Sequence, residues 1–274
     1  MRRTNERTRT LIWIAGTLTF LIMVTVSGIL CYSRALETDF SRKNLAPGLQ
    51  YLFGTDWLGR DMLFRTLTGL SMSILIGMAA ACISAVIALI LGILAATLGS
   101  KVDSLISGLI DMVMGIPHIL LLILISFAMG KGLKGVVVGV AISHWPSLAR
   151  VIRAEVLQLK ESPYIQIAQK LGLSKGKIAV KHMLPHLAPQ FMVGLILLFP
   201  HAILHEASIT FLGFGLSSEQ PAIGIILSES MKYLITGKWW LALFPGLMLV
   251  LTVALFDRLG NSIRRLMDPS SAHE

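Results

Sequence analysis

From Thr66 to Ser100 the chain carries no charged side chain, and the run is rich in Ala, Gly and Ser as well as aliphatic residues. About 20 apolar residues in an α-helix cross the hydrocarbon core of a bilayer, so this segment alone is longer than a span. Lipid offers no hydrogen bonds, which leaves the helix as the natural state of such a run. The same apolar character recurs along the chain. Hydrophobic residues make up 54% of it and charged ones 14%, against about 25% charged in an ordinary soluble domain. Too few polar groups remain to cover a water-facing surface. The expected fold is all-α: a polytopic membrane protein with about six transmembrane helices.

Arg2, Arg3, Arg7 and Arg9 precede an uncharged run, Leu11 to Ser33. That run exceeds a signal-peptide core and lacks a small-x-small cleavage site before Arg34, so it reads as a retained first span. Residues 34–65 form a mixed-charge external loop, and span two lies within 66–100. A turn at Lys101 and Asp103 leads to span three, about 105–129, and Gly130 to Gly135 make a tight turn. Span four, Val136–Ala149, is short and interrupted by Pro146, so it either starts earlier or is broken. A basic island occupies 150–189. Span five covers about 190–212, an external loop holds Glu219, Pro221, Glu229 and Lys238, and span six runs from 239 to about 256. Trp239 and Trp240 open it, as indoles do at a membrane interface. This topology places 15 of the 24 Lys and Arg on the side of both termini and 9 on the other. The positive-inside rule then puts both termini in the cytoplasm. Two parts are expected: residues 1–68, with the tail, first helix and external loop, and residues 69–274, the membrane core with its 150–189 loop.

The net charge of +9 flanks apolar spans, which is topology rather than a nucleic-acid face. Cys31 and Cys82 sit in different apolar segments, with no CxxC or Cys/His zinc spacing. No GxxxxGK[ST] phosphate loop is present. The chain is therefore expected to bind no cofactor and to be no enzyme, and any ATP would be held by another chain.

Seven of the 24 Lys and Arg fall between Arg150 and Lys181. Within this island Tyr164 to Leu171 read as a short helix. Pro163 suits its first turn, and Gly172 ends it as a C-terminal glycine does. Ser174 can cap a second helix, 175–184, that Pro185 terminates. Ile165, Ala168 and Leu171 share one face. Two readings fit: a compact knob for a soluble partner, or a basic amphipathic segment lying on lipid headgroups.

Gln166-Ile167-Ala168, Gly172 and His182-Met183-Leu184-Pro185 hold the spacing of the "EAA" coupling loop of binding-protein-dependent ABC importer permeases. The island resembles that loop, departing from its consensus at Gln166, Ile167 and His182. Phe53-Gly54-Thr55-Asp56-Trp57-Leu58-Gly59-Arg60-Asp61, with Arg65 and Gly69, is similar to a signature of the peptide/nickel branch. So are Thr210-Phe211-Leu212-Gly213-Phe214-Gly215 and the Leu259 to Pro269 ending, where Asn261 replaces a usual Asp. The resemblance covers roughly residues 50–270. It implies a type I ABC importer permease architecture in the inner membrane of a prokaryote. The implied partners are a sister permease, usually a different chain, so that the pair is a heterodimer; two cytoplasmic ATPases holding ATP and Mg; an external solute-binding protein; and membrane lipid, with no nucleic acid. It also implies ATPase coupling through Tyr164, Gln166, Ala168, Gly172, Leu184 and Pro185. Gly54, Thr55, Asp56, Gly59, Arg60 and Asp61 would brace the external loop.

Ionisable residues inside spans are functional-site hypotheses by default. Asp111 either faces a path or another helix, or pairs locally near the interface. His201 and His205, four apart, share one face of span five, while Glu206 points elsewhere. Two imidazoles so spaced can contact one transition-metal ion, can bond across helices, or can touch a peptide or chelate. Nickel-importing members of the branch look similar at His201 and His205 and at Ser143-His144-Trp145, which tilts the substrate from peptides towards nickel or a metal chelate. His118 and His186 read as structural. A metalloenzyme would need a third ligand and HExxH rather than the HxxxHE order here. A secondary transporter working alone would leave the basic island unexplained.

Overall fold

A computed structural model describes residues 6–267; Arg2, Arg3 and Pro269 lie outside the described residues. Eleven α-helices are found among them: α1 (Glu6–Leu30), α2 (Tyr32–Leu36), α3 (Met62–Thr97), α4 (Ser100–Gly115), α5 (His118–Ala128), α6 (Gly132–Lys160), α7 (Pro163–Lys170), α8 (Lys175–Ile178), α9 (Leu184–Phe211), α10 (Ile223–Leu234) and α11 (Trp240–Met267). Five are long and apolar enough to cross a membrane, and the bent pair α4–α5 makes a sixth candidate.

α3 is the central post. Asp61 caps it by accepting the Leu63 N–H at 2.8 Å, and its 36 residues rise about 54 Å. α1, α6, α9, α10 and α11 all pack on it. Small residues set those distances. A Cβ at Gly28 would strike the Leu67 carbonyl and Ser71; one at Gly77 would press on Ile203 of α9, and one at Gly92 on Ile152 of α6. With the backbones this close, the Thr68 hydroxyl reaches the Gly28 carbonyl at 3.0 Å and Ser71 reaches that of Thr25 at 2.9 Å. At the far end of α3 the Lys160 ammonium donates to the Ala96 carbonyl at 2.9 Å, a cation on a helix C-terminus. That contact places the start of α7 beside the end of α3. The Phe53–Asp61 segment and α7 therefore lie at opposite ends of the bundle.

Four expectations need correcting. Span three is not one helix: α4 and α5 meet at 98°. Pro117 disfavours helical geometry at the residue before it, and Ile116 is extended, at φ −89° and ψ 135°. Span four starts earlier, at Gly132, as one of its two readings expected, and is neither short nor broken: α6 carries Pro146 inside 29 continuous residues. The first half of the basic island is thus helix, with Arg150 and Arg153 on it. Pro185 does not end the helix begun at Lys175. A π-helical turn, Ala179–Met183, joins α8 to α9, and Pro185 falls in the first turn of α9, where a missing N–H matters little. The stretch between spans five and six is more than loop: Ile223, Ile225 and Ile226 bury the amphipathic helix α10.

Candidate functional site

Polar chemistry gathers at three places. The first is the start of α3. Asp56, fully buried, accepts from Arg60 Nε at 2.7 Å and Arg65 Nη1 at 2.9 Å, and from the backbone N–H groups of Leu58 and Arg60 at 2.8 and 2.9 Å. Arg65, itself 2% exposed, reaches on to Glu229 of α10. Both guanidiniums sit over Trp57, which stacks on Tyr233 at 4.7 Å. Thr55 accepts the Leu45 N–H at 2.8 Å and donates to the Arg42 carbonyl. Gly54 and Gly59 take φ values of +72° and +77°, and a Cβ at Gly59 would strike the Asp39 carbonyl. Burial pushes the Asp61 carboxyl above the ordinary aspartate range, partly offset by the N–H groups of Leu63 and Phe64. This end is a clamp of paired charges joining the loop, α3 and α10. Asp56, Arg60 and Asp61 stand out in the sequence; nothing there signals that Arg65 and Glu229, 164 residues apart, meet.

The second place is α7 and its neighbours. Leu173 N–H bonds the Ala168 carbonyl at 3.2 Å and Gly172 N–H that of Gln169 at 3.0 Å. These are the two bonds of a Schellman cap, with Gly172 at φ +79° supplying the left-handed residue. Ser174 caps α8 by accepting from Lys177 N–H at 3.4 Å. Ile165, Ala168, Ile178 and Met183 turn inward and anchor the knob. Leu171, expected on that inner face, points out instead. Tyr164, Ile167 and Leu171 stay uncovered at 44, 57 and 74% exposure. Gln166 is exposed and donates to the Glu161 carbonyl at 3.2 Å. Leu184 and Pro185 lie exposed where the knob rejoins α9.

The third place is a cleft of about 570 Å³ at the α4–α5 break, lined among others by His118, His144, His201 and His205. The rings of His118 and His144 are 4.6 Å apart, those of His118 and His205 4.2 Å, and those of His144 and His205 5.1 Å. His201 is exposed at the cleft wall. His205 is thus set beside His118 and His144 rather than paired with His201 alone. Nothing in the sequence spacing of His118, on another helix, signalled this. Glu206 belongs elsewhere: fully buried, it turns towards Ser73 of α3 and accepts from Thr210 Oγ1 at 3.0 Å. Asp111 is not in the cleft either. It is exposed and pairs with Arg150 of α6.

Residues 88–271 match the family described as binding-protein-dependent transport system inner membrane component. The dipeptide transport system permease protein DppC of Bacillus subtilis is 32% identical over 92% of this chain and 79% of its own. The oligopeptide permease protein OppC of the same organism is 32% identical over 84% of this chain and 77% of its own. The probable D,D-dipeptide permease protein DdpC of Escherichia coli is 30% identical over 92% and 84%. Among solved structures, a chain of the MetNI methionine ABC transporter in an inward-facing conformation superposes with a TM-score of 0.62 at 19% identity, over 76% of this chain and 98% of that one. That likeness speaks to the fold alone. Together with the polytopic helical bundle, these matches show that the chain belongs to the inner-membrane components of binding-protein-dependent transport systems, as a permease subunit of an ABC importer.

Proposed function

We propose that this chain forms half of the translocation path of an ATP-driven importer for small peptides, and that cytoplasmic ATPases work it through residues 164–185. The exposed apolar surface of α7 carries this reading. Tyr164, Ile167 and Leu171 are held out on a knob whose other face is anchored by Ile165 and Ala168. Uncovered apolar surface on a rigid support marks a docking site. The Schellman turn and the continuous path from α8 into α9 make the attachment stiff, so that motion of a docked subunit would reach the spans. ATPase closure would then bias the bundle between inward- and outward-facing states. In this reading α7 faces the cytoplasm with both termini, the clamp at the start of α3 faces outward, and a second, different permease chain supplies the other half of the path. ATP and Mg reside on the ATPases, and an external binding protein delivers the solute. The peptide class follows the names of the relatives. The histidine-lined cleft favours a second reading of the cargo, nickel or a metal chelate.

The test is ATP-dependent uptake of a labelled dipeptide into vesicles holding the whole complex. Gly172→Pro breaks the left-handed cap, because proline cannot take positive φ. Uptake is expected to fall to background while membrane insertion and pairing with the sister permease persist. Normal uptake by that variant would remove the coupling role from the knob.

A further inference from the structure

Outside the clamp, the knob and the histidine-lined cleft, arginines gather where α1 and α11 meet. A cleft of about 220 Å³ lies between the two helices, lined by Arg9, Thr10, Trp13, Arg258, Ser262 and Arg265. Gly28 of α1 packs on Leu67 and Ser71 near the start of α3, so Arg9 lies towards the opposite end of the bundle, where α7 is. Three guanidinium groups line this small volume, and like charges repel. Neither Arg9 nor Arg258 has a carboxylate partner among the described residues. Positive-inside topology accounts for arginines at this end, but not for their meeting. Arg265 stands in the last turn of α11, where a cation answers the helix dipole. Arg9 stands in the first turn of α1, at the positive end of that helix's dipole, where an anion is favoured and a cation is not. Arg258 lies over the Trp13 ring, 4.4 Å from its centroid, and the stacking holds its guanidinium beside the cleft. The surface beyond the cleft is apolar. Leu251 and Leu247, seven and eleven residues before Arg258 and so on its face, are 43 and 55% exposed. On α1, Gly16 lies one turn on from Trp13, with nothing within 4 Å of where a Cβ would stand. A ligand that suits both parts has a negative headgroup and a long apolar tail.

We propose that the cleft between α1 and α11 binds the phosphate of one anionic phospholipid from the leaflet on the side of α7, with its acyl chains lying along Gly16, Leu247 and Leu251. Guanidinium forks match phosphate oxygens two at a time, and basic pockets between membrane helices hold such headgroups. The phosphate offsets the repulsion between Arg9 and Arg258. It also ties α1, the least buried of the five spanning helices, to α11. The site is independent of the cargo and of ATPase docking.

The experiment uses the complete complex, stripped of lipid in a neutral detergent and titrated with phosphatidylglycerol carrying a fluorescent acyl chain. Saturable binding is expected. Its affinity should fall about fivefold for Arg9→Gln or Arg258→Gln and about thirtyfold for the two together. Lys101→Gln with Lys175→Gln removes the same charge from exposed positions at the same end of the bundle and should bind as wild type does. Phosphatidylcholine with the same chains, and inorganic phosphate, should each displace the probe far less readily than unlabelled phosphatidylglycerol does. Binding that never saturates, or that weakens equally in the lysine variant, is diffuse attraction and overturns the site. So does a double arginine variant that binds as wild type does. Displacement by inorganic phosphate as readily as by the unlabelled lipid would make this a soluble anion's site, and equal displacement by phosphatidylcholine an apolar contact only; either result overturns the lipid assignment. Assembly with the ATPases is scored on every variant. If the double variant fails to assemble, saturation and the two competitions on the wild-type complex decide by the same outcomes.

Discussion

Where α3 begins, Asp56, Arg60, Arg65 and Glu229 bury their charges against one another; where α6 gives way to α7, Tyr164, Ile167 and Leu171 leave apolar surface uncovered. Both regions are polar interruptions between long apolar helices, and both are shaped by a glycine at positive φ. They differ in what satisfies them. The charges of the clamp are answered from within this chain. The knob satisfies its own backbone and anchors its inner face, then stops. The first region is complete in one chain and serves to hold the loop, α3 and α10 together. The second leaves apolar surface uncovered, which is what the proposed coupling role requires.

The largest expected effect breaks the clamp. Arg65→Leu leaves Asp56 and Glu229 with Arg60 alone to answer both carboxylates. Removing one partner of a buried ion pair costs about 3–5 kcal/mol. A pronounced fall in the thermal midpoint of the detergent-solubilised complex is expected, and an unchanged midpoint would show that the clamp holds nothing. The knob should answer the opposite way: Gly172→Pro removes uptake with far less loss of stability. The smallest effect lies at neither end. Arg150 and Asp111 pair with 50 and 67% of their side chains exposed, and exposed pairs contribute about 0–1 kcal/mol. Asp111→Asn is expected to leave the midpoint almost unchanged and uptake within about twofold of wild type. A complete loss of uptake would put Asp111 on the path after all.

Much of this contrast was legible in the residues. The charge-free run from Thr66 to Ser100 announced α3, and Pro163, Gly172 and Ser174 marked the ends of α7 and the start of α8, because caps and left-handed turns are local chemistry. Prolines were harder to read, since their effect depends on what surrounds them. Pro117 breaks a span, Pro146 is carried inside one, and Pro185 falls in the first turn of α9, just after a π-helical turn. The amphipathic α10 was hidden between charged residues in what looked like loop. Contacts across helices left no trace in spacing. The Arg65–Glu229 pair and the meeting of His118 with His144 and His205 follow from how the bundle closes. His201 and His205 stood out because they share a helix, yet His118 and His144 are the nearer neighbours of His205.

The claim that the uncovered face of the knob is finished by an ATPase is tested most directly by cross-linking. Ile167→Cys, in a chain with Cys31 and Cys82 replaced by Ser, is treated with a short bifunctional thiol reagent in membranes containing the whole complex. An adduct between this chain and the ATP-binding subunit is expected, lost when that subunit is omitted. Labelling of the introduced thiol by a lipid-phase reagent, with no adduct to the ATP-binding subunit, would place α7 on the membrane surface and remove its docking role.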